Sequence, residues 1–176
     1  MTTNICQCLH QLIFALKVKA SIESDFVTIN QIDHRLEISE TNTTFNASQW
    51  KCKEDLVLLA ENAVNLAIAG LSIAADEELD LNLGQKDSSK TDFPFNLRAV
   101  IYQIRNSFAH NLLSPTFQVK SHNQRSYRLD FLPGKPIIDF SALNGRPFTY
   151  SVFGGFDNFY ALFETAETLV QQSSQQ

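Results

Sequence analysis

From Leu56 to Ala75 the chain reads LVLLAENAVNLAIAGLSIAA, a helix-length run that is apolar on almost every side. A helix without a broad polar face is stable in water only when other elements cover it. The run therefore predicts a central helix, Gln49 to about Ala75, with Ser48 as its N-cap. Glu61, Asn62 and Asn65 interrupt it and argue against a bilayer span, so no membrane partner is expected.

The covering elements are read from periodicity. Ile5, Cys8, Leu9, Leu12 and Leu16 recur on one face of a first helix, Asn4 to Ala20. No basic residue precedes LIFALKV, and Lys17 and Lys19 fall where a signal peptide would continue apolar towards its cleavage site, so this run reads as that helix. Between Phe26 and Asn46 the pieces FVTINQI and RLEIS lean towards strand, which predicts a hairpin or an ordered excursion. Asp92 and Pro94 start a third long helix that ends near Asn111 to Ser114, before Pro115. Residues 116–150 hold FQVK, YRLDF, PIIDF and RPFTY separated by turn formers, a β-rich insertion. Asp157 caps a last helix with an apolar stripe of Phe159, Leu162, Phe163, Ala166, Leu169 and Val170, and residues 171–176 form a frayed tail. The expected fold is mainly α: one domain over 1–176, an up-and-down bundle of about four long helices with a small β excursion before the last.

Composition narrows the function. With 44% apolar and 19% charged residues the chain suits a folded protein in water, and a net charge of -5 excludes broad coating of nucleic acid through a basic surface. Any nucleic-acid contact has to be local. Three cysteines without framework spacing fit a reducing compartment, so a cytoplasmic location is expected. Cys6, Cys8 and His10 do not converge on a helix, because Cys8 points nearly opposite to the other two, and core packing is expected of the cysteines. Asp76, Glu77, Glu78 and Asp80 lack the pattern of a calcium loop and read as a solvated helix end. Neither a metal nor a cofactor is expected, and no phosphate-cradling glycine motif or nucleophile elbow is present.

The third long helix carries the residues of interest, in AVIYQIRNSFAHNLLSP. At about 100° per residue, Leu97, Val100, Ile101, Ile104 and Phe108 fall on one apolar stripe. Tyr102, Asn106 and His110, spaced four apart, form an outward ridge. Arg98 and Arg105 share the flank, and Arg105 lies about 140° from His110. A plain structural account also exists: a histidine near a helix C-terminus complements the dipole, and an arginine on a flank forms a surface ion pair.

The octet IRNSFAHN resembles the signature of the HEPN superfamily (higher eukaryotes and prokaryotes nucleotide-binding domains), an arginine, then a polar residue, then a histidine after four to six intervening residues. It is also similar to uncharacterised bacterial HEPN-like proteins in which an RN-x-x-x-H-N helix is followed by strands and a GG pair before the last helix. The resemblance implies a metal-independent endoribonuclease of a toxin-antitoxin or defence system, acting as a homodimer through the third-helix ridge, with an antitoxin protein as a further partner. It assigns catalysis to Arg105, Asn106 and His110, with Tyr102 in support: His110 for general acid/base work, Arg105 for the phosphate, and Asn106 for orientation. Two ridges meeting across a two-fold axis would pair Arg105 of one subunit with His110 of the other. Where toxins of this superfamily are silenced by modification of a tyrosine two residues after the histidine, this chain has Leu112. The segment KSHNQRSYR adds Lys120, Arg125, Tyr127 and Arg128 as candidate RNA contacts, against a solvated hairpin turn as the alternative. A non-catalytic HEPN-like module for dimerisation, nucleotide or RNA binding, or protein contact, and a purely structural bundle, remain the rival readings.

Overall fold

The long apolar run forms the longest helix of the chain. The computed structural model of the protein describes residues 3–33, 35–38, 43–45, 50–84 and 90–174. It is mainly helical, with four long helices and a small two-stranded antiparallel sheet before the last. The elements are α1 (Asn4–Glu23), α2 (Ile29–Ile32), β1 (Leu36–Ile38), β2 (Thr43–Phe45), α3 (Lys53–Leu83), α4 (Phe93–Ala109), β3 (Ser126–Arg128), β4 (Ile137–Asp139) and α5 (Phe156–Ser173). Two compact units are described, Met1–Leu12 with Asn65–Gln176, and Ile13–Val64.

The smaller unit is built on Ile22, Leu56 and Ala60, with Val18, Val27, Ile29, Ile32, Trp50 and Val57 packed against them. Asp25 adopts a left-handed conformation at φ 59° just after α1, which a short polar side chain tolerates. Lys53 Nζ ties this turn to the start of α3, bonding the Glu23 carbonyl at 2.7 Å and the Asp25 carboxylate at 2.8 Å. FVTINQI is not a strand. Thr28 is extended, and the Gln31 side chain accepts its backbone N–H at 2.8 Å, which closes the one-turn helix α2. The expected hairpin comes next as β1 and β2, with Leu36 opposite Phe45 and Ile38 opposite Thr43.

Helix α3 differs from its expected bounds at both ends. Ser48 lies outside the described residues. The helix begins at Lys53, where the Asp55 carboxylate accepts the Lys51 backbone N–H at 2.9 Å. It runs past Ala75 to Leu83, because the acidic stretch keeps an inward face: Ala75, Asp76 and Leu79 are buried. Residues 76–80 are therefore not merely a solvated end. By length and composition α1 and α3 are both apolar enough to cross a membrane, although α3 also spends Ile68, Leu71, Ala75 and Leu79 on the core.

The larger unit holds α4 and α5. Leu97, Val100, Ile101, Ile104 and Phe108 are all buried on α4, as their spacing predicts. Arg98 is 1% exposed and so does not sit on an open flank. Its Nη2 donates to Asp80 and to the Gly84 carbonyl, holding the C-terminus of α3 against α4. Helix α4 stops at Ala109, sooner than expected, because the Asn111 side chain accepts the backbone N–H groups of Leu113 and Ser114 and turns the chain.

Within residues 116–150 the strands β3 and β4 pair antiparallel, with Tyr127 opposite Ile138 and both side chains buried. Thr116, just before FQVK, bridges to Pro147 of RPFTY, and Phe117 N–H bonds the Arg146 carbonyl at 2.8 Å. Phe148 is the junction: its ring lies 4.9 Å from Phe108, 5.5 Å from Phe117, and 5.8 Å from both Phe153 and Phe159. The chain then enters α5 through Gly154 and Gly155, both at positive φ. A Cβ at Gly154 would come within 2.8 Å of Asn158 Nδ2. Gly155, not Asp157, is the N-cap, and Asp157 falls in the first turn. The apolar stripe is buried from Phe159 to Val170, with Leu169 half-buried. Residues 171–173 remain helical where a frayed tail is expected; residues 175–176 lie outside the described residues.

Replacing Phe148 with alanine removes four ring contacts with the buried phenylalanines at once. It should destabilise the protein by about 3–4 kcal/mol, readable as a lower midpoint in urea. The Asp55 carboxyl is held below its ordinary range, chiefly by the Lys51 N–H it accepts. The folded value lies below the unfolded one, so this contribution is full above the ordinary Asp value of about 3.9 and is lost as pH falls through the folded value. Asp55→Asn should flatten that part of the acid unfolding profile; an unchanged profile would show that the contact contributes nothing.

Candidate functional site

The ridge expected on the third long helix is present on α4. Tyr102 and Asn106 are half-buried, and His110 is exposed as the residue that caps the helix. What periodicity could not supply is the opposite wall. Gln118, Val119, Lys120 and Asn144 from the β-rich segment face the ridge, and together the two walls enclose a groove of about 290 Å3. The segment is held there by the aromatic junction at Phe148 and by Thr116, whose N–H bonds the Ser107 carbonyl of α4 at 3.2 Å.

The groove is polar. Val119 N–H donates to Asn144 Oδ1 at 3.0 Å, and the Gln118 amide donates to the Thr116 hydroxyl at 3.0 Å. The side chains of Asn106, His110 and Lys120 make no hydrogen bond or ion pair among the described residues. An amide, an imidazole and an ammonium group thus line one groove with their hydrogen-bonding capacity unspent. Such a set suits an acceptor-rich, anionic ligand of modest size.

Arg105 is not part of that groove. Its Nη1 forms an ion pair with Asp76 of α3 at 2.6 Å; the arginine side chain is 38% exposed and the aspartate 2%. The carboxylate needs this partner, because a buried charge without compensation is costly. The rotation of Arg105 away from His110 on the helix is therefore the geometry that lets it reach α3, and only Nη1 is used in the contact.

The other candidate RNA contacts separate. Lys120 lies in the groove. Tyr127 is fully buried, its hydroxyl donating to the Asn123 carbonyl at 3.2 Å, and offers no face to a base. Strand alternation explains this: residues 126, 127 and 128 point out, in and out. Arg125 lies over the Tyr127 ring at 5.0 Å. Arg128 pairs with Asp130 at 2.8 Å on a separate surface beside Phe93 and Phe131. Asn144 and Gln118 carry no signal in the sequence; a lone asparagine before a glycine reads only as a turn.

Cys6 and Cys8 are half-buried and Cys52 is exposed. Burial pushes the Cys8 thiol up, with Glu78 adding to the effect, so it is a poor nucleophile. Among the described residues no group of three metal-ligating side chains is placed to hold an ion. Comparison of the chain with protein-family models, curated proteins and solved structures finds no match.

The ion pair makes a prediction about Arg105. Arg105→Gln removes the guanidinium paired with the buried Asp76 carboxylate, and should cost about 2–3 kcal/mol after allowance for the exposure of the arginine. Asp76→Asn combined with Arg105→Gln should recover part of that loss. A double variant no more stable than Arg105→Gln alone would contradict the pairing.

Proposed function

We propose that the chain is a HEPN-like domain whose groove between α4 and the β-rich segment cleaves RNA without a metal ion. The observation that carries this reading is the convergence of Tyr102, Asn106, His110 and Lys120 on one groove. RNA is cut by its own 2'-hydroxyl when one group removes that proton, another protonates the leaving oxygen, and a cation stabilises the crowded phosphorane. His110 serves the proton transfers, Lys120 supplies charge at the phosphate, and Asn106 orients the phosphate or the imidazole. One chain supplies one such histidine, so the reaction uses a homodimer in which the two α4 ridges approach and give a base and an acid. Arg105 takes part through the guanidinium nitrogens that its Asp76 contact leaves over. A cytoplasmic toxin or defence role with an antitoxin partner belongs to the same reading, and Leu112 speaks against silencing by tyrosine modification.

The Arg105–Asp76 pair favours a second reading, in which the arginine is a strut and the groove binds RNA or a nucleotide without cutting it. Purified protein incubated with RNA in the presence of a chelator separates the two. The catalytic reading expects products ending in cyclic phosphate and a loss of about 10²–10⁴-fold in His110→Ala. Since His110 is exposed, that variant should keep its stability within about 0.5 kcal/mol of the parent. Cleavage by the variant at the parental rate would refute the assignment, and RNA left intact by the parent would favour the binding module.

A further inference from the structure

A second cavity lies at the start of α4, lined by none of the groove residues. Asp92, Phe93 and Asn96, with Arg128, Asp130 and Phe131 from the β-rich segment, enclose about 490 Å3 there. Asn96 is 5% exposed, and its Nδ2 donates to the Thr91 carbonyl at 2.8 Å and to the Arg128 carbonyl at 3.1 Å. Those bonds use both amide protons and fix which end of the amide is nitrogen, since an oxygen cannot sit between two carbonyls. Oδ1 accepts no hydrogen bond among the described residues, and it is not one of the buried polar atoms closed off from solvent. A buried side chain thus brings a fixed, unspent acceptor to the cavity it lines. Asp92 adds another. It occupies the N-cap of α4, where an aspartate usually accepts a first-turn N–H, yet its carboxylate makes no cap bond and no ion pair among the described residues. Arg128 Nε bonds both oxygens of Asp130, at 2.8 and 3.0 Å, and two carboxylates against one guanidinium leave the lining with a net negative charge. Phe93, 40% exposed, meets Phe131 edge to face with ring centroids 5.5 Å apart, and the two rings supply the apolar wall.

We propose that this cavity binds an N–H-donating cation on an aliphatic stem, the chemistry shared by a free alkylamine or alkylguanidine and by a lysine or arginine side chain of a peptide. Asn96 Oδ1 and the Asp92 carboxylate accept hydrogen bonds and donate none, so they match N–H groups and oppose a phosphate or carboxylate. The net charge of the lining and the faces of the two rings attract a cation. A stem of about three or four methylenes packs along the rings while its charged head meets the acceptors. The first-turn N–H groups of α4 favour anions, and the Asp92 carboxylate at the N-cap offsets that field. Asn96 is set before any ligand arrives, because its orientation is fixed in folding and not in binding. The inference is independent of the groove and holds whether or not the groove cuts RNA.

The test is a titration of the intact protein with agmatine at constant ionic strength, followed by the NMR signals of the Asn96 side-chain amide and of the Phe93 and Phe131 rings. The shifts should saturate and concentrate on these three residues. Asp92→Asn keeps a side chain suited to an N-cap but removes the charge. It should weaken agmatine binding about tenfold, the loss of one charge-assisted hydrogen bond, with the melting temperature as the check on folding. Asp157→Asn, which removes an exposed acid in the first turn of α5, should leave binding as in the parent. Inorganic phosphate should leave the three signals in place. An arginine blocked at both ends, titrated in parallel, names the source: tighter binding than agmatine supports a peptide side chain, and weaker binding a free amine. Shifts that do not saturate, equal binding by Asp92→Asn and the parent, an equal loss in Asp157→Asn, or phosphate moving the same signals would each overturn the proposal.

Discussion

The contact on which the larger unit depends is the aromatic junction at Phe148. A half-buried phenylalanine in a segment with little regular structure touches Phe108 of α4, Phe117 at the start of the β-rich segment, Phe153, and Phe159 of α5. Ring pairs of this kind add to the burial of apolar area. They are needed here because two strands of three residues and one isolated bridge are too little to hold residues 116–150 in place. With the junction formed, Gln118, Lys120 and Asn144 are carried to the outward side of α4. The second wall of the groove is thus positioned by ring packing at Phe148.

Charge is handled with the same economy. Arg98 and Arg105 leave α4 on the side of α3 and meet Asp80 and Asp76 there. Arg98 also reaches the Gly84 carbonyl, so the end of α3 is closed by a side chain of the next helix. These contacts tie both arginines of α4 to α3, Arg105 through Nη1 alone. The cations near the ridge are then Lys120 and, when protonated, His110. A chain with net charge -5 can present a site for an anion only by such local sorting.

The sequence reveals most where a pattern repeats. The buried stripes of α4 and α5 and the ridge of Tyr102, Asn106 and His110 follow from spacing alone, since a helix turns every such residue to one side. Boundaries are less legible. The end of α3 depends on Asp76 being neutralised by a residue far along the chain, and α4 stops where Asn111 captures backbone groups. The capping of a single turn by Thr28 and Gln31 overrides the strand character of FVTINQI. The site is half legible: the α4 wall can be read, whereas the facing wall comes from loops whose position is set by rings distant in sequence. Tyr127 shows the converse, a residue that suits RNA by type but is turned inward by strand alternation.

The central claim is that this groove is where nucleic acid meets the protein. Ultraviolet cross-linking of a uridine-rich RNA to the intact protein, with mass spectrometry of the resulting peptides, tests it without assuming any reaction. The account predicts adducts concentrated on Tyr102 and on residues 118–120. Adducts confined to other surfaces, such as that of Phe93 and Arg128, or no adducts at all, would contradict it.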